Sequence, residues 1–411
     1  MSLDFQFFPG RVDIGNVIIS NGNDKADITE LFKELNINTS INSISAYAEF
    51  VILDANNFLH SWRPNAGDDI SIEISYSDET KIFGFKILSI NNLSNFDSQR
   101  AYTFNCVSHF YYKAMHFGVR GAYTGTTSSI AKGLFLENLD NDKESFNVWE
   151  ESSGSQKIVI PEWRLAYTME WLARRSKWTD DIVRMKFFQD SNMKYNFMPI
   201  ESALKRFKEP AFKYTYNLVA STLGKEQKPN SADTVRAVKD LTMDGSLFNI
   251  KRAYDSGKIS GTRYAPDIVN KSYNPVGFNY FDLFNKENYL NSLPNFNSYN
   301  YEGVSQYDVN ASLTQPDVSE FNKVSDASNI RKSSIDMSQS ISIEVVGNQL
   351  VDIGQVIELE VSSPEPVSDS RDDVIDKRFS GLYYVVSKRD VYNEDVHKMA
   401  LGLVKESQIG V

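Results

Sequence analysis

The chain alternates apolar and polar residues most regularly near its two ends, and the two alternations match. Toward the C-terminus, Gly354 is followed at +3, +5 and +7 by Ile357, Leu359 and Val361 in GQVIELEV. A period of two places one apolar face on a β-strand. Gly381 opens a second run, Leu382 to Val386, and eighteen residues after it Met399, Leu401 and Leu403 alternate again. Toward the N-terminus, Gly67 is followed at +3, +5 and +7 by Ile70, Ile72 and Ile74 in GDDISIEI. Gly84 opens FKILSI, and eighteen residues later Tyr102, Phe104 and Cys106 alternate. Three strands with matched gaps predict a duplicated small antiparallel β-barrel, one copy near each end. The second copy carries a hairpin connection ten residues longer, containing PEPVSDSRDDVIDK. By their offsets from the glycines, Ile72 corresponds to Leu359 and Phe104 to Leu401.

The pattern between these sets predicts an α+β, mainly β chain with an α+β insertion domain between two barrels. Residues 5–53 read as strands: ITELFKEL leans to strand, and Ala46, Ala48, Phe50 and Ile52 alternate up to Asp54. Asp54 is placed to cap a turn or short helix. Thr126 or Thr127 is placed to cap a helix through Ser128–Leu139. After Pro161, EWRLAYTMEWLARRSKW predicts a helix, with Leu165, Met169 and Leu172 on one face and basic residues in the last turns. DIVRMKFFQDS reads as a strand with a turn over Gln189–Asn192, and ESALKRF as a further helix. Val238–Ala253 and Gly257–Ile268 read as strands that open the second barrel, whereas 286–340 is rich in Asn, Ser and Tyr with little periodicity. The expected division is 1–115 for the first barrel, 116–235 for the insertion and 236–285 for the opening strands of the second barrel. An Asn/Tyr-rich excursion packed on or extending the insertion domain follows at 286–340, with the rest of the second barrel at 341–411.

Composition narrows the function classes. The 411 residues are 41% hydrophobic and 13% aromatic, enough for sizeable cores in two to four domains. No run of eighteen apolar residues occurs, and MSLDFQFFPGRVDIG lacks the basic and apolar regions of a signal peptide, so synthesis and assembly in the cytoplasm are expected. A net charge of -11 argues against a main role in gripping nucleic acid, while leaving a surface past which it slides. The one cysteine, Cys106, falls on an apolar alternation and reads as a small buried hydrophobe.

Candidate chemistry is sparse. His60, His109, His116 and His397 form no HxxxH or Cys/His cluster, so no metal site is expected. No GxSxG elbow is present, and GAYTGTTSS lacks the lysine of a phosphate loop. Asp68, Asp69 and Glu73 as a glycosidase carboxylate pair compete with a solvated hairpin start after Gly67, and the pattern favours the latter. KRFK (Lys205–Lys208) and the ARRSK helix end read as solvated faces rather than nucleic-acid contacts. No catalytic, cofactor-binding or metal-binding residue is assigned, and no cofactor is expected.

In this order, GDDISIEI, TKIFGFKILSI, AYTFNCVSHFYYKAMHFG, IPEWRLAYTMEWLARRS with FFQD, and GNQLVDIGQVIELEV…FSGLYYVVSKRDVY…HKMALGLV resemble a known family. It is the central baseplate hub of contractile-tailed, T-even-type bacteriophages, and more remotely the hub segment of type VI secretion spike proteins. The segment 286–340 has no match there. The resemblance implies a homotrimer whose two barrels per chain form a pseudo-sixfold ring, the first barrel adapting to the tube. Its implied partners are a hexameric tail tube, a trimeric central spike, and baseplate wedge and tape-measure proteins, with DNA only in passage. The alternative is a β-rich carbohydrate-binding or carbohydrate-active tail protein, marked by exposed aromatic platforms with paired acids.

Overall fold

The computed structural model describes residues 10–22, 24–55, 57–76, 79–96, 99–138, 145–178, 185–199, 202, 210–216, 235–244, 260–267, 272–279, 290–294, 339–363, 375–393, 395–405 and 407–409. In chain order its N-terminal strands are β1 (Asp13–Ser20), β2 (Lys25–Asp27), β3 (Phe32–Ser40), β4 (Tyr47–Asp54), β5 (Asp69–Ser75), β6 (Thr80–Phe96) and β7 (Gln99–Val107), with helix α1 (Phe58–Trp62) after β4. A mixed segment follows: α2 (His109–Ala114), β8 (Gly118–Gly125), α3 (Thr127–Glu137), β9 (Ser145–Val148), β10 (Gln156–Arg164), α4 (Leu165–Arg175), β11 (Lys186–Gln189) and β12 (Lys194–Met198). The C-terminal half holds β13 (Lys213–Tyr216), β14 (Asp240–Asp244), β15 (Ser260–Asp267), β16 (Ser272–Asn279), β17 (Leu293–Pro294), β18 (Gln339–Val346), β19 (Val356–Val361), β20 (Gly381–Asn393), β21 (Val396–Lys405) and β22 (Ser407–Gln408). The fold is α+β and mainly β.

Among the described residues, thirteen strands make one sheet in the order β14-β18-β21-β20-β3-β4-β7-β6-β5-β1-β2, with β19 also on β20 and β13 on β19. All of these pairings are antiparallel except β13 with β19. Five strands of the first half, β3 to β7, have counterparts of the same order and pairing in β14, β18, β19, β20 and β21. Ile72 and Leu359 are each wholly buried, as are Phe104 and Leu401. Each set lies in its own apolar cluster, Ile70–Ile72–Ile74 with Phe50 and Phe85 in one, and Ile357–Leu359–Val361 with Tyr383 and Leu401 in the other. Fully burying one such side chain contributes about 1.5–3 kcal/mol.

The glycine offsets hold for β5 and β7 but not for β6. Asp69 lies opposite Lys86, and its counterpart Val356 opposite Tyr384, so Lys86 matches Tyr384 and Gly84 matches Leu382 rather than Gly381. The two glycines do different work. Gly381 has φ +135°, a conformation that side chains resist, whereas Gly84 clears room for the His109 ring, 3.2 Å from where a Cβ would stand. Both copies break register at an equivalent place, between Ile87 and Ser89 and between Val385 and Ser387, and β6 breaks it a second time between Asn92 and Ser94. A β-bulge there turns the following residues to the opposite face.

The mixed segment packs its own core, where Phe110, Phe135, Phe187 and Tyr195 meet with ring centroids 4.4–6.4 Å apart. Thr126 caps α3 by accepting from Ser129 N–H at 3.2 Å, and Asp54 accepts from Phe58 N–H at 2.9 Å at the start of α1. ITELFKEL divides: Thr29–Leu31 is a 3-10 turn and β3 runs from Phe32. The helix expected after Pro161 begins only at Leu165, because Ile160 to Arg164 belong to β10, where Ile160, Trp163 and Arg164 pair with Gly121, Val119 and Gly118 of β8. Leu165, Met169 and Leu172 form its buried face. The turn expected over Gln189–Asn192 is present at Ser191 and Asn192, between the end of β11 at Gln189 and the start of β12 at Lys194. ESALKRF, apart from Ser202, and most of 286–340 lie outside the described residues.

Candidate assembly interface

The two halves are joined along one strand. The second half of β20, Ser387 to Asn393, pairs with β21 on one edge and with β3 on the other, from Ser387 opposite Ser40 to Asn393 opposite Glu34. After the bulge, the inward residues of β20 are Lys388, Asp390 and Tyr392. Lys388 is 4% exposed and Asp390 1%, although charged side chains are rarely buried without partners. The partners are present. Lys388 Nζ lies 3.2 Å from Asp390 Oδ2, and His397 Nε2 lies 2.8 Å from Asp390 Oδ1. The Tyr392 ring stacks on His397 with centroids 4.4 Å apart, and its hydroxyl meets that of Tyr76 in the first half at 2.8 Å. Arg389 donates across the joint to Asn36 Oδ1 at 3.1 Å.

A turn from the mixed segment closes the same place. Ser191 donates from its hydroxyl to Asp352 Oδ1 at 2.6 Å and accepts from Lys388 Nζ at 3.0 Å. Ser191 N–H and Asn192 Nδ2 also donate to Asp352, at 3.2 Å each. Asp190 accepts from the Asn192 and Lys194 N–H groups and from Asn196 Nδ2, all at 2.9 Å. Burial, seconded by the charge of Asp352, pushes the Asp190 carboxyl up to about 6 against the pull of those hydrogen bonds. Burial also acts to raise the Asp390 carboxyl, but the Lys388 ammonium and the bond from His397 outweigh it and hold it below the usual carboxylate range. With the Ser191 hydroxyl committed both to Asp352 and to Lys388, the cluster is a clamp between three parts of the chain.

The sequence did not single out Lys388, Asp390 or Asp352, because charge alone does not tell a buried, partnered side chain from a solvated one. The one available signal was in the alternation: Lys388, Asp390 and Tyr392 share a parity with each other but not with the apolar face before the bulge.

The residues weighed for chemistry are dispersed. His109 Nε2 lies 2.9 Å from Asp69 Oδ1, and Lys86 Nζ 2.8 Å from the same oxygen. Asp69 and His109 border an open cavity of about 550 Å³ shared with Lys81 and Asn192. The Tyr112 and His116 rings meet edge to face, His60 is in α1, and His397 is in the clamp. Among the described residues no three His, Cys, Asp or Glu side chains gather as metal ligands. Cys106 is buried, and burial pushes its thiol well above the usual range. Arg174 pairs with Glu170 and Arg175 lies over the Trp171 ring at 5.3 Å, so the helix end is engaged with its own helix. KRFK lies outside the described residues.

No protein-family profile and no curated relative matches the sequence. Solved structures do match over nearly the whole chain. A tail protein from Neisseria meningitidis MC58 superposes on 96% of this chain and 97% of its own, with a TM-score of 0.54 at 10% identity. The 43 kDa tail protein of prophage MuSo2 from Shewanella oneidensis covers 95% of this chain and 98% of its own, with a TM-score of 0.58 at 10% identity. This chain therefore has the fold of those tail proteins.

Proposed function

We propose that the chain is the structural hub of a contractile phage tail baseplate, without enzymatic activity. Three copies form a pseudo-sixfold ring that joins the hexameric tail tube to the trimeric central spike. Wedge and tape-measure proteins are neighbours, and DNA passes through the opening. The observation that carries this reading is the pair of matched units joined edge to edge in one chain. A threefold body built from such chains offers six near-equivalent surfaces, which is what docking onto a sixfold tube requires. The fold shared with two tail proteins supports the setting. The net charge of -11 suits a wall past which a polyanion slides.

Light scattering on the complex with the spike partner tests the reading. Three hub chains per complex are expected. A six-chain ring would overturn it, since six copies match a sixfold tube without any duplication.

A further inference from the structure

The joint between the halves uses one edge of β20 and one edge of β3, and the duplication supplies a second set of the same edges. β20 holds β19 along Gly381–Tyr384, and along the same edge β3 continues from Ser387 to Asn393. Its counterpart β6 holds β5 along Thr80–Lys86, and among the described residues no strand continues that edge over Ser89–Phe96. The counterpart of β3 is β14, which pairs with β18 on one side and, among the described residues, ends the sheet on the other. Leu35 and Ile37 of β3 correspond through their pairings to Leu241 and Met243 of β14. At the joint Ile37 is 1% exposed, whereas Met243 is 40% exposed. An apolar residue thus stands uncovered where the joint within the chain covers its equivalent.

We propose that these two edges meet between chains: β6 of one copy pairs antiparallel with β14 of the next, as β20 pairs with β3 within a chain. Arg389 lies opposite Asn38 and Asp390 opposite Ile37, so Asn91 faces Asp244 and Asn92 faces Met243 of the neighbouring copy. An edge strand with unpaired backbone groups is a template for this addition. The contact is head to tail, each copy offering one edge of each kind, and it joins copies without a like-to-like face. Closure after three chains rests on the hub reading; the strand pairing itself does not.

A disulfide tests the register. The Ile41 N–H donates to Val386 O at 3.0 Å, which makes Ser40 opposite Ser387 a non-hydrogen-bonded pair. Two residues along, Asn38 opposite Arg389 is of the same type, and so is Asn91 opposite Asp244, with Cα atoms about 4.5 Å apart and within disulfide reach. The single native cysteine is buried and gives no background. Under mild oxidation, the double variant Asn91→Cys/Asp244→Cys is expected to give covalent dimers and trimers and nothing larger. Either single variant should give none. Met243→Lys is expected to raise the concentration needed for assembly at least tenfold while leaving the unfolding midpoint of the separated chain unchanged. Trimers by light scattering that form no disulfide overturn the edge assignment and leave the ring. A ladder beyond three chains keeps the pairing and overturns three-chain closure. Chains that stay monomeric at the highest concentration reached overturn both.

Discussion

Asp390 accepts from His397 at 2.8 Å with both side chains buried, and Lys388 faces the same carboxylate at 3.2 Å. Removing one member of a buried ion pair leaves an uncompensated charge, at a cost of about 3–5 kcal/mol. Asp390→Asn is expected to lose that much in urea denaturation at neutral pH. Lys388→Met added to it should restore a large part, because the stranded ammonium is gone. Purely additive losses in the double-mutant cycle would show that the two side chains do not act as a pair. The carboxyl is held below its ordinary value, so its contribution is complete above about pH 4 and fades as pH falls through the folded value.

A Cβ on Gly347 would stand 2.1 Å from His397 Nδ1. Gly347→Ala therefore displaces the ring from Asp390, and a loss of about 1–3 kcal/mol is expected, typical of overpacking. The same change in a His397→Ala background should cost far less. Equal costs in both backgrounds would place the strain elsewhere.

Asp190 carries the opposite pH signature. Its folded carboxyl titrates up near 6, above the unfolded value near 4, so the folded state binds the extra proton between them and loses stability as pH rises through that window. The fall is on the order of 3 kcal/mol, one unit being worth about 1.4. In Asp190→Asn the slope between pH 4 and 6 should flatten, as read from unfolding free energies across that range. An unchanged slope would assign the titration to another group.

Equivalent positions in the two units should cost alike. Ile72→Ala and Leu359→Ala are each expected to lose about 2–5 kcal/mol, being wholly buried on matched strands. Glu73→Gln and Glu358→Gln, on the outward faces, should lose about 0.5 kcal/mol or less. For Glu358 this includes a surface pair with Lys213 at 3.1 Å, of the kind that contributes little. Thermal unfolding of the four variants compares them directly.

What was legible in the sequence was whatever an apolar alternation can carry. Ile70–Ile72–Ile74 and Ile357–Leu359–Val361, with the matching alternations on β7 and β21, announce both units and their order. The inward Lys388 and Asp390 were not legible, because charge reads as exposure until the facing His397 and Ser191 are known. Gly84 and Gly381 misled by one residue, since a glycine marks a need for space or for an unusual φ without saying which. β10 was hidden for a related reason: Trp163 and Arg164 fit a helix as readily as a strand, and the partner in β8 decides between them.

The joint also sets a timetable for synthesis. Thr39 and Lys388, neighbours across it, are 349 residues apart in the chain. At ribosomal rates of about 5–20 residues per second, β3 waits roughly 20–70 s for β20 to emerge. Throughout that interval the nascent N-terminal unit shows other nascent chains an unfilled strand edge, the kind that seeds aggregation. The stretch Glu34–Leu–Asn–Ile–Asn–Thr–Ser40 on that edge is largely polar, with Leu35 and Ile37 its two large apolar side chains. A sequence this poor in β-branched hydrophobes offers a stray strand little to hold, so the edge can stand open until its own C-terminal partner arrives.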